Sequence, residues 1–184
     1  MSLGKVAPIV LALALAYSAP AFAQAAPPFR CSDTVSAALG SFTGTWQVRA
    51  LFRSGPGTWD STVATSRFSP ELGGCVLRQE YWGTRYGEAY HFLAMWGANG
   101  PPGGRIQRFF AHSLHGIFTL AAGAWRADTL VLEDRELLDG RSLIQQSRIT
   151  RPSGGRFIQV DRRSTDEGGT WTETFRASYT SRTP

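Results

Sequence analysis

The chain has 184 residues and carries 19 lysine and arginine side chains against 14 acidic ones, a formal net charge of +5 at pH 7. That length suits a single domain with an adequate core. Lys5 is the only lysine, and the arginines are spread along the chain and alternate with acids, as in Asp161-Arg162-Arg163. Nucleic-acid binding needs basic residues clustered on one face, so this distribution argues against a nucleic-acid partner.

The N-terminus has the features of a secretory signal peptide. Lys5 supplies a positive charge, residues 6–16 form an apolar run too short to span a bilayer, and Ala21-Phe22-Ala23 matches the small-x-small cleavage pattern. The alternative is a membrane anchor that is kept. We predict a signal peptide over residues 1–23, cleavage after Ala23, and a periplasmic or secreted protein without stable membrane insertion.

Two cysteines follow the predicted cleavage site, Cys31 and Cys75. In an oxidising compartment an even pair of cysteines usually forms a disulfide. The alternative is a catalytic or metal-binding thiol, but neither cysteine has a CxxC partner. The sequence therefore predicts a bridge between Cys31 and Cys75.

After an Ala/Pro-rich start, the chain predicts one short helix and then only strands. Ser32 or Asp33 can cap a helix that runs to Leu39 and stops at Gly40, so residues 24–41 form an N-terminal extension. Beyond it, short alternating or aromatic-rich runs are separated by glycine turns. The ten predicted strands cover 45–53, 59–68, 75–82, 90–96, 105–112, 116–121, 129–136, 142–151, 157–164 and 170–179. Trp125 is assigned to the seventh of them, around a turn at Ala127-Asp128.

Ten short strands joined mainly by hairpin turns predict an all-β fold. With no long helix to cover a sheet face, closure into an antiparallel up-and-down barrel of about 8–10 strands removes the sheet edges. The alternative is an immunoglobulin-like sandwich, which would need longer crossover connections.

The segment Gly44-Thr45-Trp46 resembles the GxW motif that opens the first strand of calycin barrels, the group of lipocalins, fatty-acid-binding proteins and their relatives. In that superfamily the Trp closes one end of the barrel and an Arg of the last strand packs across it. The resemblance implies these structural roles for Trp46 and Arg176.

The body of the chain is similar to a calycin-like secreted bacterial family known only as a domain of unknown function. The similarity rests on Leu72-Gly73-Gly74, YWGTRYG, RFFAHSLHGIFTLAAGAW and TLVLEDRELLDGR, and it implies a barrel domain over residues 42–182 with no established activity. The family pattern carries an acidic residue near the position that His112 holds here.

Polar motifs give little support to metal or covalent chemistry. His112 and His115 flank a turn and His91 lies one strand earlier, a spacing that leaves a metal or haem site open without placing the rings together. No GxSxG elbow is present. Asp134 and Glu136 share one strand face, and we expect that strand to be exposed and balanced by arginines. The Gly/Pro loop at residues 97–104 lacks a phosphate-binding helix and could act as a lid. No cofactor is predicted.

Three predicted strands carry apolar and aromatic side chains in strict alternation, which makes these faces candidates for the barrel interior. They comprise Trp46, Val48, Ala50 and Phe52; Tyr90, Phe92, Ala94 and Trp96; and Ile106, Arg108, Phe110 and His112. Gln79, Gln145, Arg148 and Arg162 are polar residues that strand parity could also send inward, where an arginine would recognise a carboxylate. A fully packed core without a cavity is the alternative. The predicted ligand-binding residues are Gln79, Tyr90, Phe92, Trp96, Arg108, Phe110, His112 and Arg148.

The leading hypothesis is an exported barrel that binds a small, largely apolar or aromatic molecule in its interior. The second is a cofactor-independent enzyme of isomerase or lyase type, in which His112 with Tyr90 or Arg108 acts as acid and base. A third is an envelope protein with a filled barrel that works through its outer surface.

Overall fold

The computed structural model describes residues 31–99, 104–138 and 140–182, and within them the chain forms a closed ten-stranded antiparallel barrel with one short helix. The helix, α1, spans Cys31–Leu39 and continues into a 3₁₀ turn, Gly40–Phe42. The strands are β1 (Gly44–Gly55), β2 (Thr58–Glu71), β3 (Val76–Arg85), β4 (Glu88–Asn99), β5 (Arg105–His112), β6 (His115–Arg126), β7 (Thr129–Leu138), β8 (Arg141–Thr150), β9 (Arg156–Ser164) and β10 (Thr172–Ser181).

Each strand pairs with its neighbours in sequence, and β1 pairs with β10 to complete the barrel. The closing seam joins seven residue pairs, from Trp46 opposite Ser181 to Phe52 opposite Phe175. Every hydrogen-bonding edge is thereby occupied, which confirms the predicted up-and-down barrel and rules out the sandwich alternative.

The inward faces follow the alternation read from the sequence. In β1, Trp46, Val48, Ala50 and Phe52 are buried while the residues between them are exposed. The predicted faces of β4 and β5 are likewise directed into the barrel, with Trp96 and Ile106 among their buried residues. Period-2 alternation holds because successive Cβ atoms of a strand point to opposite faces of the sheet.

Helix α1 and the 3₁₀ turn plug one end of the barrel. Val35 and Leu39 are buried against it, and Phe42 contacts the rings of four residues from four strands. Two indole N–H groups fix the plug, because Trp46 Nε1 donates to the Phe42 carbonyl at 2.7 Å and Trp125 Nε1 to the Ala38 carbonyl at 3.1 Å. Apolar packing therefore fills this half of the interior.

The disulfide between Cys31 and Cys75 is present and ties the start of α1 to the turn that precedes β3. It fixes the plug to the barrel wall across a sequence separation of 44 residues. A native bridge of this kind fits a protein from an oxidising compartment. The predicted signal peptide itself lies outside the described residues.

Several strands extend beyond their predicted limits. β2 continues through Pro70 to Glu71, and β6 runs on to Arg126, so Trp125 belongs to β6 and not to the seventh strand as the sequence predicted. β4 reaches Asn99, inside the segment predicted as a loop. Residues 100–103, the centre of the predicted lid, lie outside the described residues. Hydrogen bonding to two neighbours keeps strand residues in the ladder where sequence alone predicts a turn.

Replacement of both cysteines by serine is expected to lower the free energy of unfolding by about 3 to 4 kcal/mol, because the unfolded chain regains the freedom that the bridge removes. Urea denaturation of the wild type and of Cys31→Ser/Cys75→Ser measures this difference. Dithiothreitol should lower the free energy of unfolding of the wild type to that of the variant and leave that of the variant unchanged. Equal stability of the oxidised wild type and the variant would contradict the expectation.

Candidate functional site

The unplugged half of the barrel contains a cavity of about 300 Å³. Its lining comes from the parts of the strands nearest the turns that join β1 to β2, β3 to β4 and β5 to β6, the end opposite to α1. The interior is thus neither wholly packed nor wholly open, because the helix side holds an apolar core and the other side a cavity.

One wall of the cavity is aromatic. Phe92 stacks on Tyr81 with ring centroids 4.8 Å apart, and Phe52 contacts Phe175 at 4.9 Å. These contacts hold the rings as a continuous surface from β10 through β1 to β5. The aromatic residues that line the cavity are Phe52, Tyr90, Phe92, Phe110, Phe175 and Tyr179.

The opposite wall is polar and charged. It is built by the inward faces of β6 to β9, together with side chains that reach across from β3 and β5. The polar lining includes Gln79, Arg85, Arg108, His112, Thr119, Asp134, Gln145, Ser147, Gln159 and Asp161. An interior with this many polar groups can hold a molecule that combines a flat apolar body with hydrogen-bonding groups.

Arg108 lies at the centre of the polar wall, above the apolar core. Its guanidinium carbon is 5.2 Å from the ring centroid of Trp96, and its Nη2 donates to Ser147 Oγ at 2.8 Å. Its buried Nε has no hydrogen-bond partner among the described protein atoms. Arg108 therefore has a donor left for a bound molecule.

Asp161 faces the cavity from β9, opposite Ser147 on β8. Burial raises the pKa of its carboxyl, against the lowering effects of Arg108 and of hydrogen bonds from Gln159 and Ser147. Gln159 Nε2 lies 3.0 and 3.1 Å from the two carboxyl oxygens, and Gln159 Oε1 in turn accepts from Tyr179 Oη at 3.1 Å. These bonds fix the orientation of the carboxyl group.

Asp134 faces the same space from β7. Burial raises its pKa to about 6, and the charge of Glu136 adds to the rise, whereas Arg108 lowers it. Among the described side chains, its carboxyl accepts one long hydrogen bond, from Gln145 Nε2 at 3.5 Å. The expectation of an exposed strand is therefore wrong for Asp134: with the barrel closed, the face that it shares with Glu136 is the inner one.

Arg85 stands at the mouth, as the last residue of β3. Its guanidinium carbon lies 5.0 to 5.6 Å from the ring centroids of Phe52, Tyr86 and Tyr90. Burial raises the pKa of Tyr90 to about 12 although Arg85 lowers it, so Tyr90 keeps its proton at neutral pH. The mouth thus presents a cation and a phenol among aromatic rings.

His112 lies inside the barrel, and its ring centroid is 5.5 Å from those of Tyr90 and Phe110. His91 is on the outer face, where it stacks on Trp82 at 5.5 Å. The side chain of His115 is not among those that the structure describes. Within the described part of the chain, no three His, Cys, Asp or Glu side chains come together in a way that could hold a metal ion.

Two predicted roles are corrected by the structure. Arg148 is exposed on the outer face of β8, in a groove with Ile158 and Trp171, so it does not reach the cavity. Arg176 is also exposed and forms a bidentate pair with Glu173 at 2.8 and 2.9 Å, so it does not pack across Trp46. Both side chains point outward because their neighbours in the strand, Ile149 and Ala177, point inward.

Six of the eight predicted ligand-binding residues line the cavity: Gln79, Tyr90, Phe92, Arg108, Phe110 and His112. Trp96 lies just below them, where its indole N–H donates to Gln79 Oε1 at 3.2 Å and its ring supports Arg108. Sequence reasoning missed Arg85, Asp134, Ser147 and Asp161 as interior residues. Counting strand parity onward from β5 through the turns would have found Asp134.

Comparison with known proteins supports the fold. No family model and no curated protein matches the sequence. Among solved structures, an S-type phycobiliprotein lyase from Guillardia theta is similar, with a TM-score of 0.50 and 11% sequence identity over 85% of this chain and 99% of the lyase chain. The barrel is therefore similar in fold to this lyase, and the sequence resemblance to one family of unknown function has no support from a family model.

We also find no helix, among the residues described, that is long and apolar enough to cross a membrane.

Asp134→Asn is expected to raise the free energy of unfolding at pH 7.5 by about 1 to 2 kcal/mol, a value discounted for water in the cavity. The pKa of Asp134 is higher in the folded state than in the unfolded state. Its carboxyl therefore does not lower the free energy of unfolding below pH 4, and it lowers that free energy increasingly as the pH rises to about 6. Urea denaturation at pH 4 and pH 7.5 tests this, with the exposed Asp128→Asn as control. A less stable Asp134→Asn variant at pH 7.5 would show that the ionised carboxylate stabilises the fold.

Proposed function

We propose that this protein binds a small molecule in the open half of its barrel, in an oxidising compartment outside the cytoplasm. The observation that supports this is the cavity of about 300 Å³, which places an aromatic wall opposite a charged wall. A core that served stability alone would not bury arginine and aspartate side chains, because their desolvation costs free energy.

The two walls define the class of ligand. The aromatic wall offers flat surfaces for a conjugated or aromatic body, and the polar wall requires polar groups along the opposite edge. The ligand is therefore amphipathic, which modifies the largely apolar molecule expected from the sequence. The similar barrel fold of a phycobiliprotein lyase is consistent with a small-molecule partner.

Filling the cavity should abolish binding. Thr119 faces the cavity from β6, so Thr119→Trp is expected to weaken the binding of N-phenyl-1-naphthylamine, retinol or palmitate at least tenfold for whichever probes the wild type binds. Fluorescence titration and native mass spectrometry measure this. Ser178→Trp, on the outer face of β10, is the matched control. Lack of binding of all three probes by the wild type, or unchanged binding by Thr119→Trp, would contradict interior binding.

A second candidate is an acid–base enzyme that uses the same cavity. It is favoured by the inward position of His112 beside Tyr90, and by Asp134, whose pKa of about 6 suits a general base. Tyr90, protonated at neutral pH, would then be a proton donor.

Exchange of the α-hydrogens of 2-tetralone in D₂O tests this candidate without knowledge of the natural substrate. An enzyme of this type should accelerate deuterium incorporation, followed by NMR, and both His112→Gln and Asp134→Asn should remove most of the acceleration. Arg49→Gln, which changes an exposed arginine of β1, should keep it. A wild type that leaves the exchange rate unchanged would count against this chemistry.

A further inference from the structure

The charged groups of the cavity fall into two regions, a cationic mouth and an inner region that holds both carboxyls. Arg85 is at the mouth, and within the described residues it has no carboxylate within ion-pair distance. Further in, Arg108 faces two carboxyl groups, Asp134 and Asp161. A third lining arginine, Arg162, is held by Gln146 and Trp171 and has Glu133 near it. Both carboxyls of the cavity therefore lie in the inner region around Arg108, and the mouth holds only the positive charge of Arg85 among the described residues.

Arg85 has the properties of an anion anchor. Its Nε is buried without a hydrogen-bond partner among the described atoms, and its guanidinium lies among the rings of Phe52, Tyr86 and Tyr90. The guanidinium makes hydrogen bonds to the hydroxyls of Tyr86, at 3.5 Å, and of Tyr90. An arginine has five N–H donors, so Nε and other donors at the edge of the plane are left for a ligand. A planar carboxylate matches the fork of an arginine with two parallel hydrogen bonds.

Arg108 is less suited to this role. Its Nη2 is bonded to Ser147, and the carboxyls of Asp134 and Asp161 already offset its charge. A second anionic group placed there would meet two carboxyls as well as one arginine. The inner region therefore favours groups that donate hydrogen bonds over groups that accept them.

The inner carboxyls have acceptor positions left. A carboxylate can accept about four hydrogen bonds. Among the described side chains, Asp134 accepts one long hydrogen bond, from Gln145 at 3.5 Å, and Asp161 accepts from Gln159 and Ser147. An N–H group of a ligand would supply the missing donors.

We propose that the ligand is a planar aromatic molecule with two unlike ends, a carboxylate that pairs with Arg85 at the mouth and N–H donors that bind Asp134 and Asp161 further in. This inference rests on the proposed interior binding and adds the chemical class and orientation of the ligand. Its body stacks along the aromatic wall between the two anchors.

Four probes with one aromatic body separate the contributions of the two ends: 6-amino-2-naphthoic acid, 2-naphthoic acid, 2-naphthylamine and 2-methylnaphthalene. Titration by fluorescence and calorimetry at pH 7.5 should give the tightest binding for 6-amino-2-naphthoic acid. Each probe with one polar end should bind about tenfold or more weakly, and 2-methylnaphthalene weakest.

Variants assign each end of the probe to its anchor. Arg85→Gln should weaken the two carboxylate-bearing probes by about 10- to 100-fold and change 2-naphthylamine less than about twofold. Asp161→Asn should weaken the two amine-bearing probes and leave 2-naphthoic acid within about twofold. Arg49→Gln and Asp128→Asn, which change exposed residues of the same types, are the controls.

Arg85→Lys keeps the charge but loses the planar fork, so it should weaken the carboxylate-bearing probes by an intermediate factor, about 3- to 10-fold. It serves as the second variant if Arg85→Gln does not fold, as judged by circular dichroism. Asp134→Asn is the second variant for the inner region if Asp161→Asn does not fold.

The outcomes separate the two proposals. Equal binding of all four probes, or tighter binding of 2-naphthoic acid than of its amino derivative, would overturn the two-ended ligand and leave interior binding intact. Equal losses for all probes on Arg85→Gln would likewise reject the carboxylate anchor. Binding of none of the four probes, together with none of N-phenyl-1-naphthylamine, retinol and palmitate, would overturn both proposals.

Discussion

The pairing of β1 with β10 is the contact on which the rest of the structure depends. Seven residue pairs along this seam turn an open meander into a closed barrel. Without these pairs Val48 and Tyr179, both fully buried, would lie at sheet edges. The inward faces of the other strands would then no longer enclose one interior. Closure also satisfies the backbone groups of the first and last strands, which would otherwise be exposed templates for aggregation. The cavity exists only because this seam is formed.

The interior is divided by the plug at one end. Phe42 packs among aromatic rings at the level of Trp46, and the disulfide fixes α1 against the wall. These contacts bury apolar area on the helix side and so supply much of the stability there. The other half is then free to carry polar side chains. A barrel of this size can include buried charges because its apolar core lies at the other end.

Each of the buried charged groups has a hydrogen bond, an opposite charge or an aromatic ring beside it that offsets part of its desolvation. Arg108 lies between Ser147 and the carboxyls of Asp134 and Asp161, and Arg85 lies among aromatic rings. Partial compensation keeps the groups inside without saturating them, and the raised pKa of Asp134 is the electrostatic sign of that incomplete compensation. A fully paired interior would have left no hydrogen-bonding capacity for a ligand.

The sequence by itself determined the fold class, the disulfide and most of the aromatic wall. Alternation in β1, β4 and β5 depends only on the local geometry of a strand, so side chains such as Phe92 and Phe110 could be assigned to the interior from their spacing. Tertiary structure alone decided which charged residues join them. Arg85, Asp134 and Asp161 stand in polar stretches that look solvated along the chain, while Arg148 and Arg176, equally plausible from the sequence, point outward. The reason is that strand parity fixes two faces but not which of them is inside. For a polar strand, that choice is made when the barrel closes and brings together side chains from strands that do not pair, such as Arg108 of β5 and Ser147 of β8.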